Sequence, residues 1–143
     1  MATRESESLV GQPFHNNDFT IDRYITGGSF GAFHIGTDNR ASSGGGGGKQ
    51  VGVKLEKKDA AQAQLYLEYG FYRALGNARF IPQIFCFAPV GDWHALVMEL
   101  LGPSLLNMNA KFGHRFTIAT TTQLMVQLLT LFEYIHERAI IYR

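Results

Sequence analysis

Cysteine is almost absent from the sequence: Cys86 is the only one among 143 residues. A single cysteine excludes an intrachain disulfide and a cysteine-rich zinc site, and it indicates a reducing, cytoplasmic location. The five histidines show no pairing at the spacing that metal ligands have on a helix, so we expect no metal site made by this chain. The formal net charge is only +1, which argues against a nucleic-acid binder with a strongly basic face.

Long apolar runs are also missing. No uninterrupted stretch is long enough to span a bilayer, and the polar start Met1-Ala-Thr-Arg-Glu5 is not a signal peptide. With 45% hydrophobic and 13% aromatic residues the chain can build a core, so we expect a folded protein. Its length fits one domain or an incomplete piece of a larger domain.

One short β-branched run, Gln50-Val-Gly-Val-Lys-Leu-Glu56, carries a lysine among apolar residues. A buried cation costs free energy unless an anion meets it. Lys54 therefore either holds an anion such as the phosphates of a nucleotide, or it lies near a strand end and reaches out to water. Glu68, at the edge of a predicted helix, is either its ion-pair partner or a solvated side chain.

A glycine-rich segment, Thr26-Gly-Gly-Ser-Phe-Gly31, separates two strand-like runs, 19–25 and 32–36. Strands on both sides of the glycines predict a β-hairpin. In Rossmann and P-loop proteins a helix follows the glycines and its N-terminus binds the phosphate. The segment is thus either a plain turn or a flap whose backbone N–H groups cover phosphates.

Two segments are predicted to be flexible, namely a polar leader over residues 1–18 and an insert over residues 37–49 that contains five consecutive glycines. After the second of these segments we expect a helix over 60–75 that is capped by Asp59. Its apolar face would carry three large side chains, Leu67, Phe71 and Leu75.

The second half of the chain predicts two strands, over 80–87 and 93–101, with a turn between them. Ser104 is expected to cap a short helix, and a long amphipathic helix should run from about Thr117 to Arg138. Residues 139–143 have the pattern of another strand or extended segment.

Five segments of the sequence form a recognisable set: Leu67-Glu-Tyr-Gly-Phe-Tyr-Arg73, Ile81-Pro-Gln-Ile84, Val97-Met-Glu-Leu-Leu-Gly-Pro-Ser-Leu105, Glu133-Tyr-Ile-His136 and Ile141-Tyr-Arg143. Together they resemble the casein kinase I family of Ser/Thr protein kinases, most closely its gamma branch. The resemblance implies an α+β fold. The small lobe of a kinase, an antiparallel sheet plus one helix, would span 19–101, and the hinge exit and first helices of the large lobe would span 102–143 of an incomplete kinase domain.

The resemblance also implies roles for single residues. Lys54 would contact the α- and β-phosphates of ATP and pair with Glu68. The other implied ATP contacts are the loop over the phosphates, the gatekeeper, the hinge and the walls around the base: Gly28, Ser29, Phe30, Gly31, Met98, Glu99, Leu101, Ile25 and Ile35. The implied cofactors are ATP and Mg²⁺, and the implied partners are proteins that offer Ser or Thr hydroxyls.

The sequence departs from the family pattern at three places before its end. Thr26 stands where the first loop glycine is expected, and its branched side chain restricts the backbone. Gly52 replaces an alanine whose methyl group would pack on adenine. Leu106-Asn107 replaces Glu-Asp, so that a ribose contact would fall to an amide.

The sequence stops at Tyr142-Arg143, where the resemblance places the catalytic aspartate and the magnesium ligands next. We therefore expect a chain that binds ATP but has no kinase activity by itself. Two alternatives stay open. One is a non-catalytic module that binds partners or competes with a full kinase, and the other, disfavoured by the strand after Gly31, is a Rossmann-type dinucleotide binder.

Overall fold

The computed structural model describes residues 2–28, 31–40 and 48–142. For residues 2–4 it describes the backbone only. Tertiary contacts divide the chain into two compact units. The first unit contains Met1–Asn77 and Ile81–Leu100, and the second contains Ala78–Phe80 and Leu101–Arg143.

A six-stranded antiparallel sheet forms the frame of the first unit, with the strand order β1-β2-β3-β4-β6-β5. The strands are β1 (Pro13–Phe14), β2 (Phe19–Gly28), β3 (Gly31–Asp38), β4 (Lys49–Lys57), β5 (Ile84–Val90) and β6 (Trp93–Glu99). The helices are α1 (Ala2–Glu7), α2 (Leu65–Leu75), α3 (Leu105–Lys111) and α4 (Ile118–His136). The predicted α+β class with an antiparallel sheet is confirmed. No helix in the described part of the chain is long and apolar enough to cross a membrane.

Alternation along β4 gives the sheet two chemically different faces, because successive strand residues point to opposite sides. Val51, Val53 and Leu55 are fully buried on the side that we call the core face. Gly52, Lys54 and Glu56 lie on the other side, the lysine face. The core face joins most of the buried apolar residues of the unit, including Phe19, Ile21, Trp93, Ala95 and Val97. Full burial of each large side chain contributes about 1.5–3 kcal/mol.

The N-terminal segment differs from the flexible leader predicted for residues 1–18. It forms α1 and β1, and Leu9 and Phe14 are buried in the cluster on the core face. Glu5 also forms an ion pair with Lys57. Leu9 and Phe14 are five residues apart in a mostly polar segment, which gives no periodic signal, so their burial becomes visible only in the presence of the sheet that they pack against.

The hairpin predicted around the glycine-rich segment is confirmed. β2 and β3 pair antiparallel, and Gly28 is the register partner of Gly31. Because β3 follows the glycines where a Rossmann-type binder requires a helix, that alternative is excluded. In the predicted insert, β3 continues to Asp38 and β4 begins at Lys49, while residues 41–47 lie outside the described residues.

Helix α2 begins at Leu65, five residues later than predicted, and Asp59 does not cap it. The predicted apolar face is also wrong, since Leu67 and Phe71 are exposed. The helix instead packs on the lysine face through Leu65, Tyr69 and Tyr72, a set at i, i+4 and i+7. Tyrosine is an amphipathic residue that can supply the buried side of a helix, and this is why the aliphatic pattern alone chose the wrong face.

The second unit is helical. Ser104 caps α3 as predicted, its hydroxyl accepting a hydrogen bond from the Asn107 N–H at 3.2 Å. The predicted long helix is confirmed as α4, with Thr117 as its N-cap. Residues 140–142 form no regular element, so of the two forms predicted for 139–143 the strand is wrong for these residues, and the extended segment stays a prediction.

Candidate functional site

Lys54 and Glu68 form an ion pair on the lysine face, with 2.5 Å between Lys54 Nζ and Glu68 Oε2. Both side chains are partly buried, 34% and 30% exposed. Lys54 therefore does not simply reach out to water; α2 brings it an anion. A pair this exposed contributes about 0–1 kcal/mol to stability, so stability alone gives little reason for it.

Strand β4 carries a second charged residue on the same face, two positions after Lys54. Glu56 is only 3% exposed, and both of its carboxylate oxygens accept hydrogen bonds from the start of α2. Oε1 accepts from the Gln64 N–H at 2.8 Å and Oε2 from the Leu65 N–H at 3.0 Å. No side-chain bond from Gln64 itself caps the helix, so Glu56 satisfies these orphan donors. We did not predict this role, although the i, i+2 spacing from Lys54 was a visible signal.

The glycine hairpin lies beside the same strand. Gly31 has a φ of +127°, a region that side-chain-bearing residues rarely adopt, and a Cβ there would overlap the Leu55 carbonyl oxygen. Only glycine lets β3 approach β4 this closely. A Cβ at Gly28 would meet no atom of the described residues within 4 Å. The predicted loop residues Ser29 and Phe30 lie outside the described residues, so their proposed role stays a prediction.

The two residues predicted to flank the base, Ile25 and Ile35, differ in their exposure. Ile35 is half-buried on the lysine face, where it is the register partner of Gly52. Ile25 is exposed on β2 at a register shift. Met98 is buried, and it too is a register partner of Gly52.

The predicted hinge residues are exposed. The Glu99 N–H donates to the Gln83 carbonyl at 2.7 Å, and the Glu99 carboxylate accepts from the Gln83 N–H at 3.2 Å. Leu101 belongs to the second unit. Among the described residues no group of three or more histidine, cysteine or acidic side chains could hold a metal ion.

Phe33 is a further residue of the lysine face that we did not predict. It is the register partner of Lys54 and packs against the cluster of Leu65, Leu96 and Met98. A Cβ at Gly52 would lie 2.7 Å from Phe33 Cζ and 3.5 Å from Met98 Cγ. The space opened by the missing alanine methyl is therefore occupied by the Phe33 ring. The glycine at position 52 was visible in the sequence, but the residue that fills the space beside it was not.

These residues combine a cation, its carboxylate partner and an apolar surface on one face of the sheet. A partly exposed cation beside apolar side chains is chemically suited to an anionic ligand. No protein-family model matches the chain, and the resemblance to casein kinase I stays a prediction.

Proposed function

We propose that the lysine face binds ATP, and that the chain is the nucleotide-binding part of a cytoplasmic Ser/Thr protein kinase similar to casein kinase I. The observation that carries the proposal is the Lys54–Glu68 ion pair at 2.5 Å. Glu68 limits the positions open to the flexible lysine, and about a third of the lysine side chain stays accessible to a ligand. A lysine held in this way can contact phosphate oxygens as a fixed point charge.

The proposal assigns the phosphates to Lys54 and to the glycine hairpin, and the base to the apolar surface near Met98. Mg²⁺ would accompany ATP, and the acceptors of the γ-phosphoryl group would be Ser or Thr hydroxyls of proteins. The resemblance places the catalytic base and the metal ligands after Arg143. From residues 1–143 we therefore expect binding without turnover, and a γ-phosphate transfer assay should show no product that depends on Lys54.

The test is titration calorimetry of Mg-ATP with the 143-residue chain and a Lys54→Met variant, which keeps the apolar stem of the side chain. Loss of one charge-assisted contact to phosphate should weaken binding about 10–100-fold. Lys49→Met is the matched control: Lys49 lies on the same strand but the opposite face, 5.6 Å from the Phe85 ring. The proposal is refuted if the parent chain does not bind Mg-ATP or if both variants lose affinity equally.

A second candidate is a non-catalytic module that binds a protein partner through α4. Of the residues in α4 only Ile135 is buried, while the large side chains Ile118, Met125, Val126 and Leu129 are exposed. Apolar residues exposed in such number on one helix favour association. Light scattering after size-exclusion chromatography tests this candidate, because a monomer at high concentration that unfolds cooperatively argues against it.

A further inference from the structure

Helix α2 has little intrinsic stability and depends on tertiary contacts for its position. It has eleven residues, and Gly70 lies in its interior. A helix of this length is marginal in water without tertiary contacts, and an internal glycine weakens it further. Of its residues, only Leu65 and Leu75, near its ends, are buried. Tyr69 and Tyr72 pack the helix against the sheet, and the hydrogen bonds at its start add a directional contact that can set its register.

A continuous series of hydrogen bonds leads from Glu56 to Lys54 through α2. Glu56 Oε1 accepts from the Gln64 N–H at 2.8 Å, and the Gln64 carbonyl accepts from the Glu68 N–H at 2.9 Å. Glu68 Oε2 then accepts from Lys54 Nζ at 2.5 Å. Because Lys54 and Glu56 are two residues apart on β4, the series closes into a ring.

The spacings of the two elements match. Two residues along an antiparallel strand span about 7 Å, and the four residues from Gln64 to Glu68 span about 6 Å of helix. A carboxylate at position 56 that holds the first turn therefore brings position 68 level with position 54. A helix shifted by one residue would rotate Glu68 by about 100° around the helix axis, away from the lysine.

We propose that Glu56 is a positioning residue for the Lys54 site: it holds the start of α2 in the register at which Glu68 meets Lys54. The consequence for ATP rests on the proposed function above, whereas the placement of α2 does not. Glu56 touches neither the proposed ligand nor Lys54, and it acts through the helix.

The variant for the test is Glu56→Gln, which keeps the size of the side chain and one acceptor oxygen and so favours a folded product. In this variant the amide NH₂ faces a backbone N–H donor, so one of the two bonds is lost. The lost hydrogen bond, worth about 1 kcal/mol, lowers the population of the helix register in which Glu68 meets Lys54. Mg-ATP binding should weaken in the same proportion, by about 5-fold. Glu7→Gln, an exposed glutamate on α1 in the same unit, should leave the affinity unchanged.

A double-mutant cycle distinguishes positioning from a general loss of stability. In the Glu68→Gln background the ion pair is already gone, so Glu56→Gln should have no further effect on Mg-ATP affinity. The same factor of weakening in both backgrounds, or no weakening in either, overturns the proposal.

Hydrogen exchange of the unliganded chain gives a readout that does not need ATP. In Glu56→Gln the amides of Leu65–Leu75 should exchange faster while those of Val51, Val53 and Leu55 keep their protection. Unchanged exchange in α2 overturns the positioning role even if ATP binds. Absence of ATP binding by the parent chain, together with the expected exchange, refutes the proposed function and leaves the positioning of α2 supported.

Discussion

Replacing Gly52 with alanine should destabilise the protein, although the same change is often stabilising in a strand. Gly52 has no left-handed φ, so its backbone conformation does not require glycine. The restriction is space: the new Cβ would lie 2.7 Å from Phe33 Cζ, 3.4 Å from Phe33 Cε2 and 3.5 Å from Met98 Cγ. Contacts below 3.0 Å essentially never occur, so the Phe33 ring has to move.

Two effects of opposite sign set the change in the free energy of unfolding caused by Gly52→Ala. Overpacking of this kind costs about 1–3 kcal/mol. The lower conformational entropy of the unfolded alanine variant offsets about 0.4–1 kcal/mol of that cost. The net loss in the free energy of unfolding should lie between about 0 and about 2.6 kcal/mol, with a centre of about 1.3 kcal/mol that lowers Tm by roughly 5 °C for a chain of this size.

The assay is urea denaturation of four chains: the parent, Gly52→Ala, Phe33→Leu and the double variant. Leucine removes the ring atoms that meet the new methyl group, so Gly52→Ala should cost little or nothing in the Phe33→Leu background. The coupling free energy should reach about 1 kcal/mol.

Gly70→Ala is the matched control for the Gly52 series. A Cβ at Gly70 meets no atom within 4 Å, and this exposed helix position should gain about 0.5–1 kcal/mol. Equal or greater stability of Gly52→Ala relative to the parent, or independence of the two substitutions, would refute the packing argument.

Two further predictions concern titratable groups. Burial raises the pKa of the Cys86 thiol to about 11; at pH 8 the folded chain should therefore react with a thiol reagent about 100-fold more slowly than the chain in denaturant. Burial also lowers the pKa of His34, outweighing the raising effects of the Ser6 backbone and of Glu7. Because the unfolded chain takes up this proton with a pKa near 6.5, the stability contributed by the neutral imidazole is complete well above that pH and is lost as the pH falls below it, so the free energy of unfolding should be lower at about pH 5.5 than at about pH 7.5. Urea denaturation at both pH values should show a smaller loss in His34→Leu, and an equal loss in both chains would contradict the assignment.

The elements that could be predicted are those whose signals are local. The hairpin around Gly28 and Gly31 follows from glycines between two strand-like runs, and the caps at Ser104 and Thr117 follow from hydroxyl side chains before helical segments. The sequence left two possibilities for Glu68, an ion pair with Lys54 or a solvated side chain, because it does not show how α2 is rotated about its axis.

The elements that could not be predicted depend on residues far apart in the chain. Leu9 and Phe14 have no periodic pattern, and only the assembled core face shows where they pack. Asp59 is closer in sequence to the start of α2 than Glu56 and was therefore predicted to cap it. The carboxylate of Glu56, on β4, instead accepts the hydrogen bonds of the first N–H groups of the helix. In each case the deciding interaction is non-local.

By itself the sequence determined the hairpin, the strand that carries Lys54 and the presence of a helix that carries Glu68, since hydrophobic alternation and glycine act within a few positions. The α+β class was what the resemblance to a known family implied. Only the tertiary structure decided which face of α2 meets the sheet, that Glu56 holds its first turn, and that Phe33 occupies the space beside Gly52. The physical reason is that packing and the pairing of buried polar groups are set by neighbours in space, and a neighbour on another strand leaves no local trace in the chain.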